Sequence, residues 1–314
     1  MNVIKPKRLR QGDVIGVVTP ASPVQSEDQL EKAAKYLEGL GYRVKFGEHV
    51  YKSWGYLAGS DDERAGDLNK MFADKHVQAV FCIRGGYGTP RLLRLVDYKQ
   101  IARHPKIFVG FSDITALSCA IFAKTGLMTF SGPMLAYDMS QPDDYSQENL
   151  WRMLTSRTKP GDLRNHASHP PKVIQAGERT GRLIGGNLSL MTSLIGTAFL
   201  PVMKRAIFFT EEVSEEPYRI DRMLSQVENA GILQSLAGFV SGQFADCDAD
   251  DDRPTLSLEN ILSDYASVLP KGAPAFSNLT YGHVKHKLTL PLGARARLVA
   301  GRKCKLEVLE TVVS

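Results

Sequence analysis

Between Val14 and Thr125 the chain repeats one pattern: an apolar run of strand length, a loop of small and polar residues, then a helix with its own start signal. Val14-Ile15-Gly16-Val17-Val18 is the first run; Tyr42 to Phe46, Val77 to Ile83 and Ile107 to Gly110 are the next three. Ser26 with Gln29, and Ser60 with Glu63, stand ahead of apolar residues at helical spacing (Leu30, Ala33, Ala34 and Leu37; then Leu68, Met71 and Phe72), so each reads as a capping box. A further helix is expected to include Arg91 to Val96. Strands that alternate with capped helices form a parallel sheet covered on both faces, whose ligands sit beyond the carboxyl ends of the strands. The expected fold is α/β, with a flavodoxin-like doubly wound sheet in the N-terminal part.

Two segments leave from those carboxyl ends. In Ile107-Phe108-Val109-Gly110-Phe111-Ser112-Asp113-Ile114-Thr115, an apolar strand turns into a helix at Ser112. The turn is similar to a nucleophile elbow, although Gly110 is its only flanking glycine. Ser112 acting simply as a helix cap accounts for the same residues. The second segment, Arg84-Gly85-Gly86-Tyr87-Gly88, has bare amides that suit a phosphate or a developing oxyanion. No Gly-x-Gly-x-x-Gly or Gly-Lys-Ser/Thr pattern supports the phosphate, and a tight turn that merely needs glycine explains the loop equally well.

The stretch from Gln141 to Gly181 is polar and broken by Pro142, Pro160, Pro170 and Pro171, and reads as a connection with a short helix near Leu150 to Leu154. The division expected is 1–145, 146–180 and 181–314. The last part is expected to be a β-rich α+β unit: strands at Ala206 to Phe209 and Ala237 to Phe244, helices at Asn187 to Ile195, from Pro217 to Gly231 and at Leu256 to Leu269, then short strands from Ala273 to Val313.

Composition narrows the function classes. The net charge of +5 is spread among interleaved acids and bases, which gives no nucleic-acid footprint. No apolar run reaches membrane-spanning length, and Val14 to Val18 is too short for a signal-peptide core, so a soluble cytoplasmic protein is expected. Cys82, Cys119, Cys247 and Cys304 form no Cys-x-x-Cys pair and read as reduced, mostly buried thiols. The acids Asp246, Asp248, Asp250, Asp251 and Asp252 lack the Gly and Glu of a calcium loop, and neither His166-x-x-His169 nor His283-x-x-His286 has the helical context of a zinc peptidase. No metal or cofactor is expected.

Three separated segments remain as carriers of chemistry. Glu211 and Glu212 end an apolar strand, His283 follows Gly282, and Ser112 sits at the strand-to-helix turn. A serine hydroxyl needs a base, and an imidazole base needs a third group that fixes its tautomer. Taken singly, a cap, a packing His and a strand-end acid paired with Arg219 or Arg222 account for the same residues.

Taken together, Arg84-Gly85-Gly86-Tyr87-Gly88, Gly110 to Thr115, Ser131-Gly132-Pro133-Met134, Gly185-Gly186-Asn187, Glu211-Glu212 with Pro217 to Leu224, and Tyr281-Gly282-His283 with Leu288 to Gly293 resemble the LD-carboxypeptidase (murein tetrapeptide carboxypeptidase) family. The blocks run in order from about Asp13 to the C-terminus. The resemblance implies a serine peptidase with Ser112 as nucleophile, His283 as base and Glu211 as orienting acid, the Ser on a flavodoxin-like domain and the other two on a β-rich domain. The family has Glu-Asp where this chain has Glu-Glu, so Glu212 competes, though register with Pro217-Tyr218-Arg219 favours Glu211. It further implies hydrolysis of the terminal D-Ala from murein tetrapeptides in peptidoglycan recycling, and a homodimer. Backbone N–H groups of Asp113 and Gly86 are expected as oxyanion donors, and Arg84 and Tyr87 as substrate contacts. Alternatives are an immunity-type peptidase cleaving a peptidyl-nucleotide, whose extra aromatic contacts for a base cannot be located in the sequence, and a non-enzymatic two-lobed binding protein.

Overall fold

The computed structural model describes residues 2–248 and 254–314. In chain order its elements begin with β1 (Val14–Val18), α1 (Glu27–Gly39), β2 (Arg43–Phe46), α2 (Asp61–Ala73), β3 (Val77–Cys82), α3 (Tyr98–Arg103), β4 (Ile107–Gly110), α4 (Thr115–Thr125), β5 (Thr129–Ser131) and α5 (Asp144–Thr155). There follow β6 (Gly161–Asp162), β7 (Lys172–Gln175), β8 (Gly177–Asn187), α6 (Leu188–Ser193), β9 (Ala206–Val213), α7 (Pro217–Asn229), β10 (Gly238–Ala245) and α8 (Leu258–Ser267). The chain closes with β11 (Ala275–Ser277), β12 (Leu290–Leu292), β13 (Arg295–Ala300) and β14 (Lys305–Val308).

Among the described residues these strands make two sheets. The first runs β12-β5-β4-β3-β1-β2, parallel except for the edge strand β12, and its N-terminal strands stand in the flavodoxin-like order 2-1-3-4-5. The second runs β6-β14-β13-β8-β9-β10-β11-β7. Its centre, β8 to β11, is parallel with one helix in each crossover, and antiparallel strands flank it on both sides. The architecture is therefore the expected α/β fold with a β-rich C-terminal sheet. No helix among the described residues is long and apolar enough to cross a membrane.

Helix α4 joins the two sheets. Nine of its eleven residues are buried and Lys124 is its one exposed residue, as expected for a helix packed on two sides. Cys119 meets Met191 of α6 at 3.4 Å, and the Thr115 hydroxyl accepts the Asn187 N–H at 3.1 Å. A Cβ on Gly186 would stand 2.5 Å from the Thr115 side chain, which is why the end of β8 reads Gly-Gly-Asn.

The structure corrects several local expectations. Arg91 to Val96 is not an α-helix: a 3-10 helix covers Thr89–Leu92 and the α-helix begins at Tyr98, where the Asp97 carboxylate accepts the Gln100 N–H at 2.9 Å. Leu92, Leu93 and Val96 are buried, so their spacing reported packing and not helix. The helix expected near Leu150 to Leu154 starts earlier, at Asp144, with Asp143 as its cap. β8, the longest strand among the described residues, is not among the expected strands because four glycines and the charged Glu178, Arg179 and Arg182 leave Leu183-Ile184 as its apolar residues. Cys82, Cys119 and Cys247 are buried free thiols, and Cys304 is half-buried. Of the acidic run near Asp246, Asp250, Asp251 and Asp252 lie outside the described residues.

Candidate functional site

Ser112 does not cap the helix that follows it. Its φ is +62°, a left-handed conformation that costs a non-glycine residue about 1–3 kcal/mol unless its surroundings impose it. The surroundings here are specific. A Cβ on Gly110 would approach Ile114 to 2.3 Å, so the strand can fold sharply back only with glycine at that point. The buried Asp113 carboxylate accepts the Thr89 N–H at 2.8 Å while the Thr89 hydroxyl donates to the Asp113 carbonyl, which ties the turn to the Gly-rich loop. Burial raises the Asp113 pKa, partly offset by these hydrogen bonds. Gly85 lies against the turn from the other side: a Cβ there would stand 2.9 Å from Ser112 Cβ and 3.2 Å from the Asp113 nitrogen.

Thus held, Ser112 Oγ lies 3.0 Å from His283 Nε2, and His283 Nδ1 lies 2.7 Å from Glu211 Oε2. The imidazole comes from a loop rather than a regular element, so its aim depends on neighbours. Phe111 packs on it with ring centroids 4.7 Å apart and meets Tyr281 edge-on at 5.5 Å. Tyr281 is fully buried and its hydroxyl shares a 2.7 Å hydrogen bond with Ser131 on β5. Burial pushes the Tyr281 pKa well up, so the phenol stays neutral beside Glu211. A Cβ on Gly282 would meet the Gln243 carbonyl at 2.9 Å, so glycine lets this loop lie against the second sheet.

The two adjacent glutamates have different partners. Glu211 is wholly buried and receives the His283 ring and the Asn187 side-chain amide, the latter at 3.2 Å. Glu212 is taken up by Asn187 Nδ2 at 2.8 Å, the Ser189 N–H at 2.8 Å, the Ser189 hydroxyl at 2.7 Å and the Val213 N–H at 3.0 Å. It anchors the start of α6, while the hydrogen bond to the imidazole is made by Glu211.

Around the site, the Gly86 N–H donates to no protein acceptor among the described residues, and the Asp113 N–H lies in the first turn of a 3-10 helix, where no intrahelical partner exists. The Tyr87 N–H donates to the Ser22 hydroxyl at 3.1 Å, and its ring is half exposed. Arg84 donates to the Pro23 carbonyl at 3.3 Å, and its guanidinium lies 5.4 Å above the Tyr137 ring. Ser22, Thr89 and Asn187 were not read from the sequence as supports of the site; Asn187 stood in the Gly185-Gly186-Asn187 block and Ser22 in the Pro20-Ala21-Ser22-Pro23 loop leaving the same end of β1, while Thr89 carried no signal. Arg64 carried none. It is an Arg on an amphipathic helix, yet it is buried and donates to the carbonyl groups of Pro20 and Gly88, joining the two rim loops.

His166 and His286 stack at 3.8 Å, and His286 Nδ1 donates to the Asp143 carboxylate at 2.9 Å. Glu48, His49 and Asp67 come close enough together for a metal, but Glu48 pairs with Lys70 at 2.5 Å and Asp67 holds His49 at 2.9 Å.

Comparison with known proteins agrees with this architecture. Residues 15–132 match the LD-carboxypeptidase N-terminal domain and residues 180–298 the LD-carboxypeptidase C-terminal domain. The probable murein peptide carboxypeptidase of Bacillus subtilis (strain 168) is 40% identical over 311 residues, covering 99% of this chain and 95% of the relative. The crystal structure of the muramoyltetrapeptide carboxypeptidase from Oxalobacter formigenes superposes with a TM-score of 0.84 at 30% identity, covering 96% of this chain and all of that one. The microcin C7 self-immunity protein MccF of Escherichia coli is 27% identical over 317 residues, covering 91% and 90%. With both halves matched in order and along almost its whole length, the chain belongs to the LD-carboxypeptidase family.

Proposed function

We propose that this carboxypeptidase is a serine enzyme that removes the terminal D-Ala from murein tetrapeptides in peptidoglycan recycling, through Ser112, His283 and Glu211. The observation that carries the reading is the hydrogen-bonded chain from Ser112 Oγ to His283 Nε2 at 3.0 Å and from His283 Nδ1 to Glu211 Oε2 at 2.7 Å. Glu211 fixes the tautomer with the proton on Nδ1, which leaves Nε2 free to take the Ser112 proton as Oγ attacks the amide carbonyl. The same Nε2 then protonates the departing D-Ala nitrogen, and water resolves the acyl-enzyme by the reverse path. The N–H groups of Gly86 and Asp113 receive the oxyanion, which supports the loss of about two to three orders of magnitude expected when one such donor goes. Arg84 and Tyr87 are assigned to substrate contact at the rim.

The test offers three substrates to the wild-type protein and weighs the products by mass spectrometry. A tetrapeptide whose third residue has an L-configured acyl carbon is expected to lose one D-Ala, and its D-configured diastereomer to stay intact. An aminoacyl-sulfamoyl nucleoside is the third. Cleavage of that compound with no D-Ala release would replace the murein reading by the immunity-type one, and binding of all three without cleavage would make the protein a receptor.

A further inference from the structure

The loop between β2 and α2 exposes more aromatic surface than a solvent-facing turn requires. Trp54 is 60% exposed and Tyr56 64%, and Tyr87 on the Gly-rich loop is 53% exposed. Tyr56 and Tyr87 meet with ring centroids 5.3 Å apart and planes at 78°. No motif marks this patch, because its members come from two distant segments.

The patch is held firmly although its rings are open. Trp54 and Leu57 exchange backbone hydrogen bonds of 2.8 and 3.1 Å around a two-residue turn, Gly55-Tyr56, in which Gly55 has φ +59°. Leu57 is buried against Gly88, where a Cβ would stand 2.5 Å from its methyl, and the Ala58 N–H donates to the Ala21 carbonyl at 3.0 Å. Ser22, the next residue, holds the Tyr87 N–H. The turn and the Gly-rich loop are thus fastened to one support, and aromatic rings fixed in the open lose little freedom when something stacks on them.

We infer that Tyr56, Tyr87 and Trp54 form a subsite for the muramoyl sugar of a sugar-bearing tetrapeptide, an inference that rests on the carboxypeptidase reading and extends it. Reach supports it. Gly85 touches Ser112, Tyr87 is two residues further on, and Tyr56 lies one ring beyond. In a muramoyl-tetrapeptide three residues separate the sugar from the scissile bond, a span of about 10 Å when extended. Shape supports it too. One face and one edge at nearly a right angle make a corner, which takes the apolar C–H face of a puckered pyranose against the Tyr56 ring and its hydroxyls beside the Tyr87 phenol. A flat nucleobase is best held by two parallel faces, which this corner lacks.

The experiment compares kcat/KM for muramoyl-tetrapeptide and free tetrapeptide. The wild type is expected to prefer the sugar-bearing substrate by about five- to tenfold, the size of one stacked ring. Tyr56→Ala and Trp54→Ala should each bring that ratio towards one, and Tyr56→Phe should keep it. A ratio unchanged in Tyr56→Ala overturns the inference. So does a change confined to sedimentation, which would make the patch a contact with a second copy, or to affinity for an aminoacyl-sulfamoyl nucleoside. Calorimetric affinities of the Ser112→Ala protein for the two peptides give the same ratio without turnover. A sugar preference there, in a protein whose wild type hydrolyses neither peptide, would leave the subsite standing and end the carboxypeptidase reading.

Discussion

Ser112→Ala is expected to lower kcat for D-Ala release by about 10⁶-fold while leaving KM and the thermal midpoint nearly unchanged. The change removes the one atom proposed to form the acyl-enzyme. It leaves the rest of the turn intact, because the bonds that hold it are made by Asp113, Thr89 and Phe111 rather than by the Ser112 side chain. Among the described residues the only side-chain hydrogen-bond partner lost is His283. Alanine at φ +62° is strained much as serine is, so folding free energy should move by no more than about 1 kcal/mol. Progress curves with excess enzyme, beside a thermal melt, check both halves of the expectation. Activity within tenfold of wild type would remove Ser112 from the reaction.

The second large effect separates the two glutamates. Glu211→Gln keeps the shape of the side chain but can turn an amide N–H towards His283 Nδ1, which then becomes the acceptor and places the ring proton on Nε2, facing Ser112. A base with its proton on the wrong nitrogen cannot take another, and a loss of about 10⁴-fold in kcat is expected with the fold retained. Glu212→Gln should do the reverse. Four donors converge on that carboxylate, and an amide nitrogen must oppose at least one of them, so stability should fall by about 1–3 kcal/mol while kcat stays within an order of magnitude. Paired measurements of kcat and melting temperature distinguish them. The opposite pattern would transfer the acid role to Glu212.

Much of the N-terminal sheet was legible because its signals are local. Ser60 and Glu63 do form the reciprocal capping box that their spacing announces, and the buried strands β1 and β4 read as unbroken apolar runs. What escaped depends on residues distant in sequence. The glycines of β8 look like breaks until the neighbouring chain is seen: a Cβ on Gly185 would stand 1.8 Å from the Phe209 carbonyl oxygen, and one on Gly181 2.5 Å from that of Arg205. Leu92, Leu93 and Val96 have helical spacing but are buried by a turn, since periodicity records which side is dry and not how the backbone gets there.

The candidate site was legible to a different degree. Ser112 could be read from its neighbours as a cap or as an elbow, and what separates them is a positive φ imposed by contacts from Gly85 and Thr89. Glu211 and Glu212 are equivalent as letters. They differ because β9 lies beside β8 with Asn187 opposite Glu211, and because Ser189 at the start of α6 gives its N–H and hydroxyl to Glu212. Arg64 shows the limit most plainly, since nothing in an amphipathic helix marks which Arg will be buried to fasten two loops.

The central claim is that an imidazole from the C-terminal half activates an alcohol from the N-terminal half. Treatment with a fluorophosphonate tests it most directly, because Ser112 Oγ must attack phosphorus, fluoride must leave, and the proton must pass to His283. The expected result, read by intact mass and peptide mapping, is one adduct per chain on Ser112, forming about 10²–10⁴-fold more slowly in His283→Ala. An adduct elsewhere, or an unmodified Ser112 in protein that releases D-Ala, would contradict it.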